Sequence, residues 1–403
     1  WSYHYLPGQL LTINKQTERL NLSFFSTQNA LLYKLKMGRH YLNNELDVNY
    51  DRQAIAVAMG EEAEQENTYQ LFRVYWTPSM SFAFSKQQVV VKTRISYAHQ
   101  AYRQSRTGHL WVDPSIQWNW KVSALSSFSA DVGYTNSPLT GKSIYDTPIF
   151  TTYRTQKINQ GKTAVTHDLR ATATYKYANP VWGVFLNVSP MYARTSGNIL
   201  YENVLNDRIF TIVATDKKRA TETTGLSGHI SKTFGWAKTL LGLGASFTTT
   251  DYCMLVTGKV NVARMTVTSV ALNFSLRPTR LLSVEGRSSV SFNQQKNQTA
   301  PQLSSGSTND WEHRLNIHVF PANGWMLSIK NQLFHTNSEG IGTSFFLDLA
   351  MSYKTKRWEL TFSANNIIGS SKLEQHVLGN TIETYMATHL RPREFLVNWA
   401  IDL

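Results

Sequence analysis

The sequence predicts an all-β protein, an antiparallel transmembrane β-barrel of the outer membrane, and three observations carry that prediction. Polar and apolar residues alternate with a period of two along nearly the whole chain of 403 residues, and successive side chains of a strand point to opposite faces. The alternating segments run for about 10–14 residues, which is enough for a tilted strand to cross a bilayer. Short and long polar connections follow one another, as in barrels with short periplasmic turns and long external loops.

The alternation is regular from the first segment to the last. In residues 88–97, Val89, Val91 and Ile95 share one face, whereas Lys92 and Arg94 lie on the other. The same pattern is found in residues 42–51, 110–120, 124–135, 167–177, 284–293, 311–319 and 344–353. Because almost every strand has a wholly polar face, a wide barrel with water inside is favoured over a soluble β-sandwich or propeller, whose shorter strands share a buried core.

Tight turns separate these segments, and six tryptophans lie beside them. Turns are predicted near Gly38-Arg39, Lys86-Gln87, Lys121-Val122, Asn179-Pro180, Gly235-Trp236, Arg277-Pro278, Pro321 to Gly324 and Lys354 to Arg357. Long polar stretches are predicted over residues 51–66, 136–163, 197–219, 294–309 and 369–386. A periplasmic aromatic girdle is predicted at Trp118, Trp120, Trp182, Trp236, Trp325 and Trp358.

The segments give about 17 crossings, an odd number, whereas closed single-chain bacterial barrels have an even number of strands. The first crossing is placed at residues 29–37 and the last at 388–403. An open edge in lipid would leave backbone N–H and C=O groups without partners. Either residues 1–28 supply another strand, or strands upstream of Trp1 complete the barrel, and the second interpretation is favoured. Residues 1–403 are therefore expected to form one domain, the C-terminal portion of a barrel.

Charged side chains on the polar faces form the predicted lumen-facing set. They are Lys92, Arg94, Asp113, Asp131, Asp168, Arg170, Glu285, Arg287, Glu312, Arg314 and Asp348. The favoured interpretation is that they pair across strands and stiffen the wall. The alternative is that some contact a plug or line a solute path.

Two of the long polar stretches carry aromatic residues among several lysines and arginines. Candidate contacts for a ligand or partner are Tyr145, Phe150, Tyr153, Tyr201 and Phe210. A solvated loop near lipopolysaccharide is the favoured interpretation, and capture of a nutrient or of a surface lipoprotein is the alternative.

Motifs for catalysis, metals and nucleic acid are missing from the sequence. It contains no HExxH, P-loop, Rossmann glycine run or paired-cysteine motif, so we expect no enzyme, no metal and no cofactor. Cys253 is the single cysteine and cannot form an internal disulfide. The net charge of +13 is spread along the chain, which is typical of a solvated surface and argues against nucleic acid. Membrane headgroups and anionic surface sugars are the alternative partners.

The last segment alternates up to the final residue. Its apolar face holds Phe395, Val397, Trp399, Ile401 and Leu403. Such a terminal strand is similar to the signal recognised by the barrel-assembly machinery, although that signal usually ends in Phe and this chain ends in Leu403.

The chain resembles the C-terminal barrel of TonB-dependent-receptor-like outer-membrane proteins of the Bacteroidota type, which often carry an N-terminal carboxypeptidase-regulatory-like domain. The matching segments are VYWTPSMSFAFSK (74–86), HLWVDPSIQWNWK (109–121), FSADVGYTNS (128–137), SFFLDLAMSYKTKRWELTFSANNIIG (344–369) and HLRPREFLVNWAIDL (389–403). The resemblance implies a barrel of 22 strands in the outer membrane of a Gram-negative bacterium. It also implies a plug domain and a TonB-contacting segment, neither of which is found in this sequence.

Three functions follow from this interpretation. The first is a TonB-linked transport barrel for uptake of a large nutrient, with the plug upstream. The second is a structural or assembly subunit of an outer-membrane complex. The third is a passive porin of about 18 strands.

Overall fold

The computed structural model describes residues 2–3, 16–59, 65–103, 105–138, 148–152, 155–159, 164–206, 209–235, 238–256, 258–301, 306–337, 342–369, 372–378, 383–389 and 393–401. Its strands are β1 (Ser2–Tyr3), β2 (Gln16–Met37), β3 (His40–Met59), β4 (Gln65–Ala83), β5 (Gln87–Tyr102), β6 (Ser105–Lys121), β7 (Ser126–Pro138), β8 (Ile149–Thr152), β9 (Thr155–Ile158), β10 (Val165–Asn179), β11 (Val184–Gly197), β12 (Leu200–Asn206), β13 (Ile209–Thr215), β14 (Arg219–Phe234), β15 (Thr239–Val256), β16 (Lys259–Thr279), β17 (Leu282–Asn297), β18 (Ser307–Val319), β19 (Trp325–Thr336), β20 (Ser344–Lys354), β21 (Trp358–Asn365), β22 (Lys372–Leu378), β23 (Glu383–His389) and β24 (Glu394–Ile401). In the described ranges, no helix is long and apolar enough to span a bilayer.

Seventeen of these strands form one antiparallel run, which we call the wall. The wall consists of β2–β7, β10, β11, β14–β21 and β24, each hydrogen-bonded to the next in chain order. The predicted antiparallel all-β fold and the predicted number of crossings are therefore confirmed.

The register keeps apolar side chains on one face of the wall. Residues directly opposite each other on neighbouring strands point to the same face. One such row contains Leu31, Leu46, Trp76, Ile95 and Val112 on five consecutive strands. We call this the apolar face, and the opposite one the polar face.

The apolar face carries most of the large exposed hydrophobic side chains of the wall. Leu110 is 71% exposed and Val132 is 48% exposed. In water, so much exposed apolar surface would be unfavourable and would favour association or membrane contact.

Short connections join the wall strands at one end. They lie at residues 38–39, 84–86, 122–125, 180–183, 235–238, 280–281, 320–324 and 355–357. Most agree with the predicted turns, but the turn predicted at Arg277-Pro278 was placed too early. Both residues belong to β16, where a register shift between Leu276 and Thr279 accommodates Pro278, which has no N–H to donate.

Several predicted loops are partly strands, so those predictions were wrong in detail. Residues 51–59 continue β3 and residues 294–297 continue β17, while the stretches 197–219 and 369–386 contain the hairpins β12–β13 and β22–β23. The first wall strand begins at Gln16 and not near residue 29. Residues 294–297 are polar on both faces, and in β3 the polar face becomes apolar at Ile55 and Val57. Neither stretch therefore keeps the alternation on which the prediction depended.

Residues 16–28 therefore belong to β2 and do not form a separate crossing. The two-residue strand β1 pairs with the start of β2, through Ser2 opposite Thr17 and Tyr3 opposite Gln16. Within the described ranges, no pairing joins β2 to β24, so these two strands are the edges of the wall.

Candidate functional site

The polar face brings all eleven predicted lumen-facing residues to one side of the wall. Direct cross-strand partners include Arg94 opposite Asp113, and Arg287 opposite Arg314. The remaining seven follow from the same alternation and register. Their side chains differ in what they contact, and this separates wall-stiffening residues from available ones.

Asp113 closes a gap between two strands. The β6–β7 pairing ends at Ser115 opposite Gly133, next to Pro114, which cannot donate a backbone hydrogen bond. Beyond that point the buried Asp113 carboxylate accepts hydrogen bonds from the backbone N–H of Asn136, at 3.0 Å, and from its side-chain amide, at 2.6 Å. Asp113 therefore replaces a missing strand contact.

Two further carboxylates hold neighbouring segments together. Asp168 accepts a hydrogen bond from the hydroxyl of Thr195, its direct cross-strand partner, at 2.5 Å. Asp348 accepts one from the backbone N–H of Asn366 at 2.8 Å, where the chain leaves β21 with a positive φ of 52°. These contacts agree with the wall-stiffening interpretation.

The other charged residues of the set are more exposed or less engaged. Glu312 and Arg314 form an ion pair along β18, and Arg287 faces Arg314 across the strands. No ion pair with a described residue is formed by Lys92, Asp131, Arg170 or Glu285. These four are the charges most available to another part of the protein or to a solute.

A charged cluster on β3, β4 and β5 was not predicted from the sequence. Asp51 accepts hydrogen bonds from Arg73, at 2.9 Å, and from Ser26, at 2.6 Å. The guanidinium carbons of Arg73 and Arg94 lie 5.6 and 5.4 Å from the centroid of the Tyr75 ring, within cation–π range. The missed signal was the alternation itself, because residues 51–66 were interpreted as a loop.

The aromatic side chains beside the short turns lie on the apolar face. Trp118 and Trp120 stack with ring centroids 5.8 Å apart. The ring centroid of Tyr353 lies 4.8 Å from that of Trp325 and 5.4 Å from that of Trp358. Tyr and Trp favour the boundary between an apolar and an aqueous phase, so this belt is suited to a membrane interface.

Trp182 reaches the same end of the wall from a turn. It is 70% exposed, and its backbone N–H donates to the side chain of Asn179 at 3.0 Å, which fixes the turn. Trp236, the sixth predicted girdle residue, lies outside the described residues.

The apolar face has a defined height. On β6 it extends from Trp120 to Leu110; ten steps of ~3.3 Å at a tilt of ~45° give about 23 Å, close to the ~25 Å apolar band of outer-membrane barrels. Nearer the opposite end, the same face carries polar contacts. Arg264 binds Asp251 through two hydrogen bonds of 2.7 Å, and Tyr192 donates to Glu222 at 2.7 Å.

The last strand is an edge of the wall. β24 pairs with β21 alone in the part of the chain that the structure describes. Its apolar side chains Phe395, Val397, Trp399 and Ile401 are 55–75% exposed. Leu403 lies outside the described residues.

The connections after β7 and β11 fold into four short strands, which we call the loop sheet and which, among the described residues, a single parallel bridge, Glu202 opposite Leu255 on β15, joins to the wall. It consists of β8, β9, β12 and β13, and β9 pairs in parallel with β13. Ile149 of β8 packs against Ile55 and Val57, which lie on the polar face of β3. The loop sheet therefore covers part of the polar face at the end opposite the short turns.

The loop residues predicted as ligand or partner contacts are divided by this arrangement. Phe150 lies in β8, and Phe210 lies in β13 opposite Thr155. Tyr201 lies in β12, where its hydroxyl donates to Asn159 at 3.2 Å and the Lys157 amino group lies 4.5 Å from its ring centroid. Tyr145 and Tyr153 lie outside the described residues.

The described part of the chain contains no candidate metal site. No group of three His, Cys, Asp or Glu side chains is close enough there to hold an ion. Cys253 is a free, half-buried thiol.

Comparison with known proteins gives no family for this chain, since no protein-family model and no curated protein matches it. The fold is similar to the siderophore receptor PirA from Acinetobacter baumannii, with a TM-score of 0.41 and 12% identity over 96% of this chain and 60% of that chain. It is also similar to the copper transporter OprC, with a TM-score of 0.34 and 10% identity over 89% and 77%. A third match is the ferric-catecholate import receptor Fiu from E. coli K12, with a TM-score of 0.33 and 11% identity over 95% and 80%.

These matches do not decide the function. The chain spans only 60% of PirA, and all three similarities are low in identity and TM-score.

Proposed function

We propose that this chain is the transport wall of an outer-membrane barrel of the TonB-dependent-receptor-like class, which takes up a large nutrient across the outer membrane of a Gram-negative bacterium. The observation that carries the proposal is the division of the wall into two faces. An apolar band of about 23 Å lies between an aromatic belt and a charged rim. The opposite face is lined by charged, hydroxyl and amide groups, which favour water.

The two edge strands of the wall, β2 and β24, are not paired with each other in the described residues. In lipid, the free backbone groups of β2 and β24 would need partner strands. We therefore propose that further strands complete the barrel, to the 22 that the resemblance implies. In this arrangement residues 1–403 are the C-terminal portion of the barrel domain.

The polar face supports a transporter in which the wall stays rigid. Asp113, Asp168 and Asp348 are already engaged within the wall, whereas Lys92 and Arg170 have no ion-pair partner among the described residues. The available charges would contact a plug domain or a passing solute. The moving part would be the plug, coupled to the TonB complex through a segment outside this sequence.

The position of each surface of the wall suggests a further partner. The apolar band faces outer-membrane lipid, and the charged rim near Arg264 and Asp251 lies where lipopolysaccharide headgroups would be. The terminal strand β24 would be read by the barrel-assembly machinery. The loop sheet, at the external end, is the surface available to a lipoprotein that delivers the nutrient.

The experiment uses the full-length mature protein, extracted from outer membranes in detergent. We expect heat-modifiable gel migration, binding of the periplasmic domain of TonB, and no steady conductance in planar bilayers because the plug fills the lumen. A large steady conductance without TonB binding would replace the proposal with a passive porin. A closed barrel that does not bind TonB would instead indicate the structural or assembly subunit.

A further inference from the structure

A cavity of about 220 Å³ lies where the loop sheet meets the external ends of β10, β11 and β14. Its lining includes Ala164, Thr166, Gly197, Ile199, Tyr201 and Arg219. The volume is well above the roughly 10–15 Å³ that a single water molecule requires. A small polar group of a solute therefore fits into it.

The cavity lies on the solute side of the wall. Thr166, Gly197 and Arg219 are aligned across three neighbouring strands and point to the polar face. The apolar band lies on the other side of the same strands, so a membrane lipid does not reach the cavity. A ligand would come from the aqueous space.

Gly197 makes room for the Arg219 side chain. A Cβ atom placed on Gly197 would lie 3.1 Å from the Nε atom of Arg219, closer than ordinary van der Waals contact. The guanidinium group therefore lies against the glycine backbone, beside the cavity. Arg219 forms no ion pair with any described residue.

Lys157 brings a second cation to the same place. Its amino group lies over the Tyr201 ring that lines the cavity. Burial, together with the positive charge of Arg219, lowers the pKa of Lys157. Lys157 likewise forms no ion pair with the described residues.

The nearby carboxylate on the wall does not compensate these charges. Asp168 lies on the polar face of β10, two residues after Thr166, and accepts a hydrogen bond from Thr195. Two half-buried cations of like charge disfavour each other. An anion placed between them would remove that repulsion and accept charge-assisted hydrogen bonds from both.

We propose that this cavity is an anion-binding subsite, in which Arg219 and Lys157 hold the carboxylate or phosphate of an acidic solute. Ile199 and Tyr201 pack against the neutral part of that solute. The inference rests on the proposed transport function, because it names the chemical class of the nutrient that first contacts the barrel. An acidic sugar is the simplest solute that combines a polar ring with one such anionic group.

The test is calorimetric titration of the purified full-length mature protein in detergent with glucose 6-phosphate, glucuronate and uncharged glucose. We expect one or both anions to bind more tightly than glucose, and the preferred anion identifies the group as phosphate or carboxylate. Arg219→Gln and Lys157→Gln should each weaken binding of that anion about tenfold or more, the loss expected of one hydrogen bond to a charged group. Arg219→Lys, which keeps the charge, should retain more affinity than Arg219→Gln.

Lys259→Gln is the matched control, because Lys259 is an exposed cation at the start of β16, and it should bind as the unsubstituted protein does. Heat-modifiable migration of each variant shows that the barrel is intact. The inference is overturned if neither anion binds more tightly than glucose, or if both glutamine variants bind the anion as tightly as the control. Such a result would leave TonB binding and barrel formation untouched, so it is distinct from failure of the proposed function.

Discussion

An arginine at Val132 should destabilise the barrel because that side chain faces lipid near the middle of the apolar band. Val132 is 48% exposed and lies directly opposite Ile116 on β6 and Ala171 on β10. It stands four residues beyond Phe128, which contacts the girdle residue Trp118. Four steps of ~3.3 Å at a tilt of ~45° place it about 9 Å above the girdle, well inside the band.

At that depth a lipid-facing arginine costs roughly 2–4 kcal/mol. The matched control is Asp131→Arg, one residue earlier on the same strand and on the polar face. We expect Asp131→Arg to change the free energy of unfolding by less than about 1 kcal/mol, since its side chain remains in water and has no ion pair to lose.

The measurement is urea unfolding of the barrel inserted in lipid vesicles, followed by tryptophan fluorescence. The comparison tests the face of the strand, because both variants place an arginine at nearly the same depth on β7, and the control makes the larger change in charge, +2 against +1. Equal stability of both variants, or a larger loss for Asp131→Arg, would refute the assignment of the apolar face to lipid. A protein that stays monomeric and soluble without detergent would refute it as well.

Three further substitutions test contacts described above. Asp51→Asn should lower the free energy of unfolding by roughly 1–3 kcal/mol, because it leaves the half-buried Arg73 without its carboxylate. Asp251→Asn, in the more exposed ion pair with Arg264, should lower it by at most about 1 kcal/mol. Equal losses in the two variants would contradict this difference. Asp113→Ala should speed hydrogen exchange at the backbone amide of Asn136, which loses its acceptor; unchanged exchange at that amide would show that Asp113 does not replace the strand contact. Ile149→Asp should release the loop sheet from β3 and accelerate proteolysis between β7 and β10, whereas an unchanged cleavage pattern would argue against that packing.

The wall could be predicted from the sequence because lipid imposes a simple rule on each strand. A residue such as Val132 must be apolar and its neighbour Asp131 can be polar, so alternation reveals both the strand and its faces. The same rule predicts the girdle tryptophans, since a short turn ends each pair of strands at the membrane surface. Pairing adds the register, but the register only aligns faces that the alternation had already defined.

The rule fails where the chain leaves the apolar band. β3 continues through residues 51–59, yet its inward side chains change from Asp51 to Ile55 and Val57, which pack beneath the loop sheet. There an apolar residue on the inner face indicates protein contact and not lipid. A period-two pattern cannot make that distinction, because it gives the face of a side chain but not what covers it.

The loop sheet could not be predicted for a second reason, which also concerns the proposed site. β9 and β13 pair in parallel although 50 or more residues separate the paired positions, and no local pattern specifies a partner at that distance. Lys157 and Arg219 therefore come together only through the fold, whereas in the sequence each is one basic residue among many. Because the two cations converge at the external end, opposite the short turns, a solute would meet them before it meets the charges of the lumen. The order of these contacts favours a role in selecting the solute over a role in moving it.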